Sequence, residues 1–319
     1  MEKDKQQTIP NILKKFAQLL GTEVKNRIEI PPTFGKGYCA GFVFNEHIRM
    51  IISNYELNED IVIENPETKI PGKMIFFKFQ NIIPLPETLQ NEKPLQSIPS
   101  VLIATSRMNT DEVISIHTTT ATINIEVDTN YLNKPFELSK KSPILQSLLQ
   151  NTQPLLFEQM IYPSLQKVVD EMVTESVDET FELFFLRIKA EELICRLLME
   201  LEKRNEKHLY PLNIHDIQAI YKVKEQMLEH LEIPPMIKAL AVCAHMSPSK
   251  LKRLFKQIFG NSIFSYYQEF RMKEAARLLK EEKLSVSNAG YQLGFTNLSH
   301  FSRVFNKHIG MKPKQYSRS

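Results

Sequence analysis

The stretch KRLFKQIFG at residues 252–260 recurs as SRVFNKHIG at residues 302–310. The same offset of fifty positions, taken without a gap, aligns further identical residues: Ala239 with Ala289, Ser249 with Ser299, Arg253 with Arg303, Phe255 with Phe305, Gly260 with Gly310 and Tyr266 with Tyr316. Each copy predicts a helix of about nine residues, a turn of about three residues and then a longer helix. The pattern therefore predicts one helix-turn-helix unit that is present twice.

Capping residues mark both ends of the longer helix in each copy. Ser247 is a favourable N-cap with Pro248 at the first helical position, and Gly260 supplies a left-handed residue after the last turn. Asn297 and Gly310 take these places in the second copy. Apolar residues at helical spacing give each helix one buried side: Leu251, Leu254, Phe255 and Ile258 in the first copy, and Phe301, Val304 and Phe305 in the second.

The faces opposite these buried sides carry basic and neutral polar residues and no carboxylate. They hold Ser249, Lys250, Lys252, Arg253, Lys256 and Gln257 in the first copy, and Ser299, His300, Ser302, Arg303, Asn306 and Lys307 in the second. A merely solvated face is the alternative, but such faces usually mix both signs of charge. Two faces without an acidic residue favour a surface that contacts phosphates and base edges.

Charge is distributed unevenly along the chain. From Lys238 to the last residue, 15 basic residues stand against 4 acidic ones, a net charge of +11, whereas the first 237 residues hold 25 basic and 33 acidic ones. Such asymmetry is typical of a polyanion-binding module joined to a region with another task. The length of 319 residues predicts about two domains, and an apolar share of 42% argues against a disordered chain.

A helix predicted over residues 262–282 connects the two copies. About twenty residues at 1.5 Å per residue span roughly 30 Å, close to the roughly 34 Å between successive major-groove faces of B-DNA. One chain therefore has the dimensions to contact two adjacent grooves on one side of a duplex.

Residues 213–319 resemble the DNA-binding domain of AraC/XylS-type transcription regulators. The resemblance rests on three stretches: LKRLFKQIFG, YYQEFRMKEAARLL and AGYQLGFTNLSHFSRVFNKHIGMKPKQYSRS. In the last of them, the tight turn at Gly294, the G-x-x-P at residues 310–313 and Tyr316 stand at the family's spacing. Gly290 departs from the family's usual Ala and is expected to loosen its helix by less than about 1 kcal/mol. The ending Tyr316-Ser317-Arg318 is a second, mild departure.

This resemblance implies which residues contact DNA. Base-reading positions fall on Ser249, Lys252, Arg253, Ser299, Ser302 and Arg303. An arginine can bond O6 and N7 of guanine bidentately, so Arg253 and Arg303 are the strongest candidates, with an intramolecular salt bridge as the alternative for each. Positions nearer the phosphates, which add affinity without sequence information, fall on Lys250, Lys256, His300 and Lys307. The resemblance also implies contact with RNA polymerase.

Residues 26–128 contain short apolar runs broken by Pro, Gly and Asn. Their β-branched and aromatic content predicts an antiparallel sandwich or small barrel, which can enclose a ligand. AraC-type regulators commonly carry a cupin-like barrel in this place. The expected fold class is α+β, with an effector-sensing domain, a helical linker and a DNA-binding domain at residues 1–140, 141–210 and 211–319.

Aromatic and cationic groups can line an effector pocket, and core or surface placement is the alternative for each. The candidates are Tyr38, Phe42, Arg49 and Tyr55. A metal-dependent barrel needs about three histidines and a carboxylate, and this region holds only His47 and His117. The G-x-G-x-x-A string at residues 35–40 lacks a preceding strand and a following helix, so it predicts a loop and not a dinucleotide site. We expect neither a metal nor a cofactor.

Residues 163–174 and 178–204 carry apolar residues at helical spacing and predict a helical hairpin. Its second helix is apolar over a wide stripe, which must bury against the barrel, the hairpin partner or another subunit. AraC-type regulators often dimerise through such helices, so we expect a homodimer contact here, with packing inside one chain as the alternative. The stretch FLRIKAEELICRLL resembles the linker of the siderophore-responsive, pyochelin-regulator branch.

Three widely spaced cysteines, Cys39, Cys195 and Cys243, argue against a disulfide framework or a CxxC site and predict buried free thiols. The first ten residues lack the apolar core of a signal peptide, and no apolar run reaches the roughly 18 residues of a membrane span, so a cytoplasmic protein is expected.

The expected function is that of an effector-controlled, sequence-specific transcription regulator, not an enzyme. One alternative is an effector-free architectural DNA-binding protein. Another is a DNA repair methyltransferase with an AraC-like module, for which the three cysteines lack sequence neighbours that would activate a thiolate.

Overall fold

The computed structural model describes residues 9–59, 61–64, 73–83, 99–106, 113–116, 119–135, 141–204, 206 and 208–318. Contacts divide the chain into two units that meet in sequence between Leu212 and Asn213. The described part of residues 141–210 lies in the first unit, together with the sheet.

The first unit contains nine strands and five helices among its described residues. The strands are β1 (Arg27–Glu29), β2 (Gly35–Val43), β3 (Ile48–Leu57), β4 (Ile61–Glu64), β5 (Met74–Gln80), β6 (Ser100–Thr105), β7 (Val113–Ile116), β8 (Thr119–Asp128) and β9 (Leu156–Met160). The helices are α1 (Asn11–Leu19), α2 (Thr129–Asn133), α3 (Pro143–Gln150), α4 (Pro163–Thr174) and α5 (Glu179–Glu202).

Seven of the strands form one antiparallel sheet in the order β1-β2-β3-β8-β5-β6-β9, and β4 pairs with β7 in a separate ribbon. Successive side chains of a strand point to opposite faces, so every second residue enters the core. Phe77 and Phe79 of β5 and Ile123 and Ile125 of β8 are fully buried on one face. The predicted α+β class with an antiparallel sheet is confirmed, while the cupin-like closure stays a prediction.

Helices cover both faces of this sheet. Leu165 of α4 and Leu193 and Leu197 of α5 are fully buried in one cluster with Phe77, so the inner side of the predicted hairpin packs within its own chain. Helix α1, which the sequence did not predict, covers the opposite face of β1 to β3. There Phe16 packs in a second cluster.

The predicted loop at residues 35–40 is the beginning of strand β2, so that prediction was wrong. Gly35 and Gly37 have φ angles of 151° and 100°. A Cβ atom would lie 2.0 Å from the carbonyl oxygen of Glu56 at Gly35, and 2.3 Å from that of Asn54 at Gly37. The glycines permit a close approach of β2 to β3. Glycine within a strand can serve this purpose as well as mark a turn, so the two glycines did not indicate a loop.

The second unit is helical throughout its described elements. These are α6 (Ile214–Glu229), α7 (Ile237–Cys243), α8 (Pro248–Phe259), α9 (Ile263–Lys280), α10 (Val286–Gln292), α11 (Leu298–Ile309) and α12 (Pro313–Tyr316). Helices α7 and α8 form the first helix-turn-helix unit, α10 and α11 form the second, and α9 connects them.

The predicted caps of the two long helices are confirmed. Ser247 Oγ accepts a hydrogen bond from the Lys250 amide at 3.2 Å, and Asn297 Oδ1 accepts one from the His300 amide at 2.9 Å. Both helices end at a left-handed glycine, with φ angles of 73° at Gly260 and 86° at Gly310.

The short helices α7 and α10 align at a different offset from the long ones. After α7 the amide of Met246 donates to the carbonyl of Ala241 at 3.0 Å, and after α10 that of Phe295 donates to Gly290 at 2.9 Å. Gly290 therefore corresponds to Ala241, an offset of 49. The turn before α11 is one residue longer than the turn before α8.

The predicted match of Ala239 with Ala289 was therefore wrong. Ala289 is fully buried, whereas Ala239 is exposed. An alignment without a gap carries the extra turn residue into the preceding helix and shifts that helix by one position. The long helices keep the predicted offset of fifty, since Gly260 and Gly310 both end them.

Candidate DNA interface

Helix α8 presents most of its predicted outward face to solvent. The exposed residues are Ser249, Lys252, Arg253 and Lys256. Lys250 is half-buried, and its Nζ donates to Asp216 Oδ1 of α6 at 2.7 Å. Gln257 is only 3% exposed, so its predicted place on this face was wrong. It follows Leu254 by three positions and therefore extends the buried stripe.

Helix α11 presents the corresponding face of the second helix-turn-helix unit. Its exposed residues are Ser299, His300, Arg303, Asn306 and Lys307, and Ser302 is half-buried. Across residues 208–318, Arg303 and Lys307 make no ion pair within the chain. The salt-bridge alternative for Arg303 is therefore not realised in the described residues, and its guanidinium is available to a ligand.

The four acidic residues of the basic segment lie on or just after α9, where they accompany cations of the same helix. Glu269 pairs with Lys273 at 3.4 Å, and Glu274 pairs with Arg277 at 2.7 Å. Arg277 also reaches Glu282 at 2.7 Å, and hydrogen bonding to Glu274 first and to Glu282 raises the pKa of its guanidinium. These pairs neutralise α9 locally and leave the positive charge concentrated elsewhere in the unit.

Equivalent tyrosines pack against the two long helices, one from α9 and the other from α12. Tyr266 meets the ring of Phe255 edge-on at 5.5 Å in the first copy, and Tyr316 of α12 meets Phe305 at 5.6 Å in the second. The buried guanidinium of Arg271 donates to the carbonyl of Leu293, in the turn before α11. This contact fixes α9 to the second helix-turn-helix unit. Burial lowers the pKa of the Arg271 guanidinium.

A cavity of about 220 Å³ lies in the first unit, between the β1–β2 edge of the sheet and the connection from α4 to α5. Tyr38 and Phe42 line it, as two of the four effector candidates. Arg27 also lines it and lies 3.7 Å above the centre of the Tyr38 ring, while its Nε donates to Glu29 at 2.7 Å. Glu182 of α5 adds a carboxylate to the wall, which the sequence did not indicate.

The other two effector candidates lie outside this cavity. Arg49 Nε donates to Glu126 Oε2 at 2.6 Å across β3 and β8. Tyr55 is buried beside Phe16 of α1, with ring centres 5.7 Å apart, and burial raises its pKa to about 12. Odd-numbered residues of β3 face away from the cavity, and Ile52, which faces the cavity, is even-numbered.

The cysteines differ in environment. Cys39 is buried beside Ser53, and burial raises the pKa of its thiol to about 11, which disfavours a reactive thiolate. Cys195 and Cys243 are exposed, so the prediction that all three thiols are buried was wrong. His47 stacks on Tyr131 at 5.3 Å, and His117 lies outside the described residues. Within the described ranges, no group of His, Cys, Asp and Glu side chains has the arrangement of a metal site.

A family model described as a helix-turn-helix domain matches residues 240–319. The HTH-type transcriptional regulator GlxA of Rhizobium meliloti is 34% identical over 100 residues, which are 31% of this chain and 31% of that protein. The regulatory protein PchR of Pseudomonas aeruginosa is 35% identical over 71 residues, which are 22% of this chain and 24% of that protein. The chain thus spans about a third or less of the length of these two relatives.

Among solved structures, an AraC-type regulator from Chromobacterium violaceum is 27% identical, with a TM-score of 0.31 over 33% of this chain and 95% of that one. The carboxy-terminal unit is an AraC-type helix-turn-helix domain. The resemblance of residues 185–198 to the pyochelin-regulator linker stays a prediction.

The AraC-type domain accommodates Gly290 inside helix α10 and Gly294 in the turn that follows it. A Cβ atom at Gly290 would lie 3.0 Å from Leu298 Cδ2 and 3.2 Å from Phe301 Cδ1. At Gly294, where φ is 75°, it would lie 2.3 Å from the carbonyl oxygen of Glu232. Gly290 thus replaces the usual Ala where a large Leu298 begins α11, and Gly294 is required by a neighbouring backbone.

None of the helices within the described ranges combines the length and apolar character needed to cross a bilayer.

Proposed function

We propose that this protein is a sequence-specific, DNA-binding transcription regulator of the AraC type. The observation that carries the proposal is the pair of exposed faces on α8 and α11, both free of carboxylates and both held by α9. The 18 residues of α9 span about 27 Å at 1.5 Å per residue, which suits two successive major grooves. RNA polymerase is the further partner that such a regulator would contact.

The two faces divide into residues that specify sequence and residues that add affinity. We assign base reading to Ser249, Lys252, Arg253, Ser299, Ser302 and Arg303, and phosphate contact to Lys250, Lys256, His300 and Lys307. Arginine matches the two acceptors of guanine bidentately, whereas lysine on a phosphate contributes through counterion release. The exposure of Arg253 and Arg303 supports this assignment.

Selection from a randomised duplex pool with the full-length protein tests the proposal. We expect enrichment of a site with two half-sites about one helical turn apart, because each long helix would enter one groove. Fluorescence anisotropy then compares the enriched duplex with a random one. A protein that retains no duplex from the pool at low salt contradicts the proposed function.

We further propose that a small-molecule effector binds in the cavity lined by Tyr38 and Phe42. The support is a mixed lining, in which Phe185 and Leu186 supply apolar surface and Arg27 and Glu182 supply charge, as ligand sites commonly do. A thermal-shift screen of metabolites on the full-length protein identifies stabilising compounds.

The matched variants are Ala40→Phe, which fills the cavity, and Tyr55→Phe, which changes a tyrosine outside it. We expect Ala40→Phe to abolish the ligand-induced shift and Tyr55→Phe to keep it. A screen without any stabilising compound would favour the effector-free architectural protein. A shift that survives Ala40→Phe would place the ligand elsewhere.

Helix α5 is the proposed homodimer contact. Its outward stripe consists of Phe181 (63% exposed), Phe184 (64%), Ile188 (46%), Cys195 and Met199 (59%). The first four follow one another after three, four and seven positions, the spacing of a two-helix seam. Sedimentation equilibrium is expected to give a dimer for the wild type and for Phe184→Leu, and a monomer for Phe184→Glu. A strict wild-type monomer at micromolar concentration contradicts this contact.

A further inference from the structure

The ion pair between Asp216 and Lys250 connects the beginning of the DNA-binding unit to its first outward face. Asp216 lies in the first turn of α6, and its side chain is only 15% exposed. Lys250 Nζ donates to Asp216 Oδ1 at 2.7 Å, and Asn213 Nδ2 donates to Asp216 Oδ2 at 3.0 Å. Both carboxylate oxygens therefore have a donor, and the carboxylate is fixed in place.

Asn213 adds a second restraint on the same residue. Its Oδ1 accepts a hydrogen bond from the Asp216 amide at 2.8 Å, which makes it the N-cap of α6. Asn213 is also the first residue of the unit after the sequence boundary at Leu212. The carboxylate that holds Lys250 is thus positioned by the residue at which the chain enters the DNA-binding unit.

The location of Lys250 makes this pair consequential. Lys250 lies in the first turn of α8, directly after the exposed Ser249 and three positions before Arg253. A phosphate beside this turn and the Asp216 carboxylate would both offer oxygens to one ammonium group. Each attracts it by the same chemistry, a charge-assisted hydrogen bond to an anionic oxygen.

We propose that Asp216 is a built-in competitor of the DNA backbone, which holds Lys250 in the free protein and must release it when a phosphate binds. The inference rests on the proposed function and adds a residue outside both long helices that sets DNA affinity. Because Lys250 is 40% exposed at its side chain, the pair is weak enough for a phosphate to replace. The corresponding residue of the second helix-turn-helix unit is His300, which makes no ion pair within the described residues, so we expect the competition in the first helix-turn-helix unit.

The test is a double-mutant cycle in the full-length protein, with Asp216→Asn, Lys250→Ala and the double variant. Glu225→Gln is the matched control, because it removes the same charge from an exposed position of the same helix. Dissociation constants are measured by fluorescence anisotropy at one fixed salt concentration, on the duplex selected above and on a random duplex.

We expect Asp216→Asn to tighten binding about twofold to fivefold on both duplexes alike, since a phosphate contact carries no sequence information. In the Lys250→Ala background the same substitution is expected to change the dissociation constant by less than about twofold. Glu225→Gln shows how much of any gain comes from net charge alone, and we expect its gain to be the smaller one.

An equal gain from Asp216→Asn with and without Lys250, or a gain no larger than that of Glu225→Gln, overturns the inference. Far-ultraviolet circular dichroism reports whether α6 stays folded. If Asp216→Asn loses helicity, Asp216→Ser takes its place in the cycle with the same two outcomes. Wild-type protein that binds neither duplex refutes the proposed function itself, whereas normal wild-type binding without coupling refutes only this inference.

Discussion

The two helix-turn-helix units share one plan but solve their turns differently. In the first, the left-handed position after α7 is His245, with a φ angle of 49°, and in the second it is Gly294, with 75°. The turn before α11 is longer by one residue, and the backbone of Glu232 lies against Gly294. The two units are therefore alike in the helices that pack on α9, and they differ in the turns, each of which contacts different neighbouring residues.

The largest effect that follows from this comparison concerns Gly294. We expect Gly294→Ala to lower the free energy of unfolding of the carboxy-terminal unit by about 3 kcal/mol. Left-handed backbone strain at this position adds to a clash with the Glu232 carbonyl. Urea denaturation of the full-length protein, followed by far-ultraviolet circular dichroism, measures the loss.

Gly310→Ala is the matched control for Gly294→Ala. Gly310 has a φ angle of 86°, and a Cβ there would meet no atom within 4 Å, so only the backbone strain of about 1 kcal/mol remains. His245→Gly is expected to cost little, since the first turn already tolerates a side chain. Equal losses at Gly294 and Gly310 would show that the Glu232 contact does not matter.

The next effect concerns base reading by the equivalent arginines. We expect Arg253→Ala and Arg303→Ala each to weaken binding to the selected duplex by about 1 to 3 kcal/mol, and binding to random DNA much less. Anisotropy titrations on the two duplexes measure this difference. Equal losses on selected and random DNA for both variants contradict the base-reading assignment and reduce the arginines to backbone contacts.

Much of the second unit could be predicted from sequence because its signals are local. The caps at Ser247 and Asn297 and the glycines that end α8 and α11 lie within a few residues of the features they determine. The offset of the short helices was not predicted, because an alignment without a gap leaves no place for the extra residue before α11. The approach of the Glu232 backbone to Gly294 joins residues about sixty positions apart and has no local signal either. The Asp216–Lys250 pair joins residues 34 positions apart and has no sequence pattern.

The first unit was predicted less completely because its contacts are distant in sequence. Strand-like runs predicted an antiparallel sheet, but which face of β3 is covered by α1 depends on how separate elements pack. The alternation of apolar and polar residues along β3 did not reveal that Arg49 and Tyr55 lie outside the cavity. Glu182 lines the cavity because of the position of α5, which the sequence does not give. Of the four effector candidates, the structure brings Tyr38 and Phe42 together in one cavity.

A smaller effect is expected at Gly290, which corresponds to Ala241. Gly290→Ala gains helix propensity of about 1 kcal/mol but crowds Leu298 and Phe301, so we expect a net loss of about 1 kcal/mol. Gly290→Ala combined with Leu298→Ala should recover most of that loss relative to Leu298→Ala alone. Urea denaturation of the four proteins decides. A stabilising Gly290→Ala would mean that the neighbouring side chains yield freely.

The smallest effect tests the phosphate contacts at Lys256 and its counterpart, Asn306, both exposed on the outward faces. We expect Lys256→Ala to weaken selected and random binding alike and to flatten the dependence of log affinity on log salt by about one unit. Asn306→Lys is the reciprocal change and should steepen that dependence by a similar amount, because it gives the second unit the cation that the first already has. Anisotropy titrations over a salt series measure both slopes. If Lys256→Ala flattens the slope and Asn306→Lys leaves it unchanged, α11 approaches the DNA backbone differently from α8, and the equivalence of the two faces is limited to their arginines.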